Sequence, residues 1–188
     1  MNVYFLRAAA NENRGVIVTT GELFEFSRRF NGFPMKRPWT DVTIGWDPDM
    51  LRLPKGDFPS LITNVPVFSR RTARVLADLL EDNGEMLPVI ISGEEYFLFN
   101  VTRVIDALDE SRSDIVRFEG KSKILDIESH WFIEERLGKA IIFKIPQMIT
   151  SDVFVTEPFV QRVRSTGLKG FRFPLLWSSG SRFPEETK

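Results

Sequence analysis

Asn100-Val-Thr-Arg-Val-Ile-Asp-Ala-Leu-Asp-Glu-Ser-Arg-Ser113 stands between two segments of like pattern, one beginning Val67-Phe68-Ser69 and the other Val153-Phe154-Val155-Thr156. Each flank reads as a short strand, a polar cap, an amphipathic helix, a glycine stop and a further strand. In the first, Ser69 is a good N-cap for a helix over residues 70–82, with Ala73, Leu76, Leu79 and Leu80 as its apolar stripe. Asn83-Gly84 then supplies the left-handed stop. In the second, Pro158 falls in the first turn, where its fixed φ is tolerated. Phe159, Val160 and Val163 form the buried face of that helix, and Gly167 ends it. The pattern predicts an α+β fold, a mostly antiparallel sheet with two short capped helices packed on it. Two copies of a module are too few for a solenoid.

Working outward, residues 87–91 and 96–101 read as strands of a hairpin, with Ser92-Gly93-Glu94-Glu95 as the turn. Residues 101–108 fit either a helical face or a strand, and are read as a strand running into a short helical turn. Residues 114–118, 123–127 and 141–145 look like further antiparallel strands, 130–136 like another, and 171–177 like the last. At the N-terminal end, 3–6 and 16–20 read as short strands, and 22–30 as a short helix with Leu23, Phe26 and Phe30 at helical spacing. Between residues 31 and 59, five prolines interrupt any long element, while Trp39, Trp46 and Phe58 add large apolar surface. Residues 42–46 suggest one strand there.

Bulk composition narrows the function class. The 188 residues suit one compact domain. A chain of that length buries roughly 70% of its unfolded surface, so it needs no disulfide or metal to fold. Seventeen phenylalanines against two tyrosines supply rings without a polar handle, which belong in a core. With 25 basic and 26 acidic side chains, net charge −1, bulk electrostatics gives nucleic-acid binding no support. The absence of cysteine excludes thiolate catalysis and a disulfide framework, and fits a reducing compartment. The first residues lack a signal-peptide pattern, and no apolar run is long enough to span a bilayer. The expectation is a cytoplasmic protein without a membrane segment.

Reaction chemistry finds little purchase. No glycine-rich phosphate loop, nucleophile elbow or metal-ligand cluster is present, and no cofactor is implied. His130, the single imidazole, precedes Trp131-Phe132 and reads as structural or exposed rather than as a general base. The acidic residues Asp106, Asp109, Glu110 and Asp114 would suit a small carboxylate-dependent hydrolase or transferase if they converged with raised pKa values. Turn formation is the more economical reading, since Asp and Ser bond locally to backbone. Candidate partner contacts lie instead in the proline-rich loops: Phe33, Lys36, Arg37, Trp39, Trp46 and Asp47. Aromatic and arginine anchors on loops are the residue types favoured in binding hot spots. The tryptophans have a second reading, as anchors of this region to the core.

Three pieces in order carry a family resemblance. They are Pro54-Lys-Gly-Asp-Phe-Pro59 leading to Val65-Pro-Val-Phe-Ser69; Tyr96-Phe-Leu-Phe-Asn-Val101 running to Val104-Ile-Asp-Ala-Leu-Asp109; and Ser151-Asp-Val-Phe-Val-Thr156 through Gly167-Leu-Lys-Gly-Phe-Arg-Phe173. Together, over about residues 53–176, they resemble the bacterial polymorphic-toxin immunity family numbered eleven. The resemblance implies a small cytoplasmic α+β protein that protects its producer by binding a cognate toxin domain, and it brings no catalytic residues. It divides the chain into an irregular N-terminal subdomain (1–52), the family-like α+β domain (53–177) and a flexible tail (178–188). The expected function is stoichiometric neutralisation of a toxin, with neither nucleic acid nor membrane as partner. A regulatory or scaffold subunit is a third reading, differing only in the partner.

Overall fold

The computed structural model describes residues 1–35 and 42–180. Its strands are β1 (Asn2–Phe5), β2 (Arg7–Ala8), β3 (Val16–Val18), β4 (Ile44–Trp46), β5 (Val67–Ser69), β6 (Gly84–Ile91), β7 (Glu94–Val101), β8 (Asp114–Arg117), β9 (Ile124–Ser129), β10 (Ile142–Phe143), β11 (Phe154–Thr156), β12 (Phe171–Arg172) and β13 (Leu175–Ser178). The helices are α1 (Leu23–Arg28), α2 (Arg70–Val75), α3 (Ala77–Leu80), α4 (Glu134–Leu137) and α5 (Glu157–Thr166). Every strand pair within the sheets is antiparallel. The α+β expectation therefore stands, with five short helices among the described residues in place of two.

Two sheets organise the molecule, one ordered β10-β11-β1-β13 and the other β5-β7-β6. β11 and the second half of β7 are buried on both faces, which explains why they read as continuous apolar runs, whereas β6 alternates, with Pro88 and Ile90 exposed. In β11, Val155 joins a core built with α5, α2 and α3, where Phe68, Phe99, Phe159 and Val163 meet. Phe154 points to the opposite face, into a core with Val3, Leu108, Phe132, Leu137 and Trp177. In β7, Phe99 faces the first core, while Leu98 and Tyr96 face a third, closed by Phe26 and Phe30 from the α1 region and by Val16 and Ile44. β1, from the segment read as an irregular subdomain over 1–52, lies between β11 and β13. At the other end, Ser178 closes β13, and residues 181–188 of the expected tail lie outside the described residues.

Local chemistry sets several boundaries. Ser69 caps α2 as expected: its Oγ accepts from the Thr72 amide at 3.1 Å. The helix expected over 70–82 breaks at Leu76, where φ −102° and ψ 6° leave the helical basin, giving α2 and α3. Thr156 does not cap α5 with its side chain. Its hydroxyl donates to the Ala140 carbonyl at 2.6 Å, tying β11 to the chain entering β10. Ser92 and Gly93, both at positive φ, form a two-residue hairpin turn whose twist matches the strands it joins.

Two expected elements are corrected. Residues 101–108 contain no helical turn, because their backbone groups pair across the chain. The Ile105 amide donates to the Lys144 carbonyl, the Lys144 amide to Arg103, and the Ile133 amide to Ala107. Residues 130–136 are not a strand: only Phe132 bridges, to Leu108, and α4 follows with Glu134 and Glu135 in its first turn, where a helix favours acids. The final strand is also divided, into β12 and β13 around Phe173-Pro174.

Candidate partner-binding face

The segment after α1 is held from beneath by three polar side chains. Lys144, buried in a strand-like run of apolar neighbours, donates from Nζ to the Phe30 carbonyl at 2.5 Å. Asn100, buried on β7, donates from Nδ2 to the Phe33 carbonyl and to Glu85 Oε2, each at 2.9 Å. The same Glu85 oxygen accepts from the Met35 amide at 2.8 Å. Gly32 sits in the middle at φ +86°, and an added Cβ there would meet Val104 Cγ2 at 2.5 Å and Ile149 Cδ1 at 3.1 Å. Only glycine allows both the left-handed backbone and that approach.

The consequence is a fixed backbone presenting a free ring. Phe33 is 72% exposed although its carbonyl is anchored. Beside it lies a pocket of about 390 Å³ lined by Asn31, Gly32, Thr102, Val104, Pro146 and Ile149. None of these side chains titrates, so the face suits an apolar contact and offers no acid-base chemistry. A preordered aromatic with an adjoining apolar pocket is the arrangement found at interface anchors.

The sequence-predicted contact residues do not all share this face. Lys36, Arg37 and Trp39 lie outside the described residues. Trp46 is half-buried on β4, its ring edge-on to Tyr96 at 5.5 Å, with Arg14 and Lys55 over it at 6.0 and 5.7 Å. Asp47 accepts from the Asp49 amide at 3.0 Å, capping a single 3₁₀ turn over Pro48–Met50. Tyr96 and Asn100 stand toward opposite ends of β7, so Trp46 and Phe33 pack against different parts of that strand.

Of the acids weighed for catalysis, Asp106 and Glu110 share one donor, Gln147 Nε2, at 2.9 and 3.2 Å. Asp109 Oδ1 accepts from the Ser111 hydroxyl at 2.6 Å and its amide at 3.1 Å, and these bonds hold the carboxyl below its ordinary value. Glu110 also pairs with Arg117 at 2.9 Å. Asp106 and Glu110 are solvent-exposed, as is Asp114. His130 is buried among Phe5, Phe132 and Phe154, and burial lowers its pKa, with Asp152 and Asp126 opposing. Among the described residues, no group of three or more His, Cys, Asp or Glu side chains could hold a metal ion. Burial also drives the Lys144 ammonium down to about 8 from 10.5, against an opposing pull from Asp152.

A second polar junction accounts for the motif Pro54-Lys-Gly-Asp-Phe-Pro59. Asp57, its side chain 14% exposed, accepts from Ser69 Oγ at 2.9 Å, from the Lys169 amide at 2.9 Å and from Arg71 at 3.2 Å. It thereby joins the 54–59 loop to the start of α2 and the turn after α5. All three segments are conspicuous in the sequence, but nothing local connects them. Lys144 and Glu85 belong to no motif, although a lysine inside Ile141-Ile-Phe-Lys-Ile145 is a visible signal.

No helix among the described residues is long and apolar enough to cross a membrane. No curated protein matches the chain. The model of the Immunity protein family (Imm11) matches residues 89–175, just under half of the chain, a span that contains both Asn100 and Lys144; over that span the chain is similar to Imm11 immunity proteins.

Proposed function

We propose that the protein is the immunity partner of a bacterial polymorphic toxin, neutralising its cognate toxin domain in the cytoplasm by stoichiometric binding and without catalysis. The family match over residues 89–175 carries this reading. The face around Phe33 is the proposed contact, with Lys36, Arg37 and Trp39 next in the chain and Trp46 and Asp47 as flanking candidates. Its support is physical: Asn100 and Lys144, both inside the matched span, anchor the Phe33 and Phe30 carbonyls, so little ordering entropy is lost when the Phe33 ring is covered.

The test is co-expression with candidate toxin domains encoded by neighbouring genes, read as survival and as co-purification in a fixed ratio. The intact protein is expected to rescue growth. Phe33→Ala should weaken the purified complex by about 2 kcal/mol, roughly thirtyfold in Kd, the scale of a hot-spot aromatic. Failure of the intact protein to rescue or bind, with both partners folded, defeats the immunity reading. Rescue with unchanged affinity in Phe33→Ala moves the contact elsewhere.

A further inference from the structure

A different surface carries an imbalance of charge. Between the end of α5 and β12 runs an open groove of about 570 Å³. Its walls hold three cations, Arg164, Lys169 and Arg172, and no carboxylate, while Leu168, Phe171 and Phe173 supply apolar surface. Arg172 pairs with Glu12 at the rim. The Arg164 guanidinium and the Lys169 ammonium are exposed and pair with no carboxylate among the described residues.

The neighbouring cleft, which shares Lys169, provides the contrast. There Lys55 pairs with Glu94, Arg70 with Glu95 at 3.5 Å, and Arg71 with Asp57 at 3.2 Å. The chain as a whole has a net charge of −1, so three cations with no carboxylate in one groove are a local excess rather than part of a generally basic surface. The aromatic surface is rigid as well: Phe171 stacks on Phe58 at 4.6 Å and 9°, and lies at 5.9 Å and 18° to Phe173. Gly167, at φ +65°, turns the chain sharply so that Lys169 and Arg164 line one groove.

We infer that this groove is a docking site for an acidic protein segment bearing aromatic or aliphatic side chains, with Arg164 and Lys169 taking carboxylates and Phe171 and Phe173 taking the apolar groups. Placing cations beside ring surface selects for that combination over a plain polyanion, whose charges would leave the phenyl surface uncovered. The inference goes beyond the immunity reading and does not depend on it, since it rests on the groove's own cations and ring surface.

The probe is a short fluorescein-labelled peptide alternating Glu or Asp with Phe, titrated with the full chain and read by fluorescence anisotropy at low salt. The comparison peptides replace Phe by Gly, or the acids by Lys. The acidic-aromatic peptide is expected to bind most tightly. Its affinity should fall at least about tenfold in R164E/K169E and to a smaller extent in R164Q/K169Q, which guards against misfolding of the charge reversal. The K123E variant, altered at an exposed lysine beside Phe118, should bind as the parent does. Absence of binding by the parent protein overturns the inference. Equal affinity in the parent and both groove variants also overturns it, as does equal binding of the Gly-containing peptide.

Discussion

Lys144 offers the sharpest test of how the candidate face is built. Its ammonium is fully buried and has one hydrogen-bond partner, the Phe30 carbonyl. In the folded protein it loses its proton near pH 8, against 10.5 for an unburied lysine. Each tenfold change in proton affinity is worth about 1.4 kcal/mol, so the charged form lowers stability by about 3 kcal/mol. Between those two pKa values the unfolded chain binds more protons than the folded one, so raising the pH favours folding. The penalty is constant below pH 8, shrinks through the window from 8 to 10.5, and is absent above it. From pH 7 to pH 10 most of that penalty is recovered, about 2–3 kcal/mol. The neutral amine still donates to Phe30, so the loop anchor survives deprotonation.

Tyr96 sets the upper limit of the experiment. Burial pushes its hydroxyl up to about 12, so above pH 10 the folded state holds a proton that the unfolded state releases, and stability falls. Comparing the parent with Lys144→Met at each pH cancels that contribution. Urea unfolding at pH 7 and pH 10 is the assay. With a slope of about 2 kcal/mol per molar, the parent midpoint should gain about 1 M relative to the variant. A difference that changes by less than about 1 kcal/mol over this range refutes the buried-ammonium reasoning.

Three further outcomes follow from other positions. Gly32→Ala should destabilise by at least about 1 kcal/mol in denaturant unfolding, since it combines a left-handed backbone with a methyl driven into Val104. Asp57→Ala should lower stability by about 2–3 kcal/mol, because Ser69 Oγ and the Lys169 amide lose a shared acceptor; thermal unfolding reads the loss. His130, buried with a lowered pKa, is protonated more readily in the unfolded chain, so parent stability should fall as the pH drops below about 6.5. His130→Phe should lose that component, seen as a flatter pH profile between 7 and 5 in paired urea titrations.

Local signals carried most of the secondary structure. Ser69 capped its helix, Ser92-Gly93 turned its hairpin and Gly167 stopped α5, because caps, turns and stops depend on a few adjacent residues and their own backbone. Elements whose backbone bonds run to distant partners were misread. Residues 101–108 have the spacing of a helical face, yet their amides and carbonyls serve Asn83, Lys144 and Ile133. The apparent strand over 130–136 became a bridge and the helix α4 for the same reason.

The sequence by itself determined an α+β, cysteine-free chain of near-balanced charge, its helix caps and turns, and the family pattern later matched over residues 89–175. Phe33 was legible as a contact candidate because an aromatic among prolines and glycines is conspicuous in one dimension. Tertiary structure alone decided that β1 lies between β11 and β13, so the matched span draws a central strand from outside itself. It alone brought Lys144, Asn100 and Glu85 under the Phe33 loop, and it set Arg164 beside Lys169 without a carboxylate. The reason is range: propensity acts over a few residues, whereas burial and charge compensation depend on groups that folding brings together across the chain, such as Lys144 and Phe30, 114 residues apart, or Arg172 and Glu12, 160 apart.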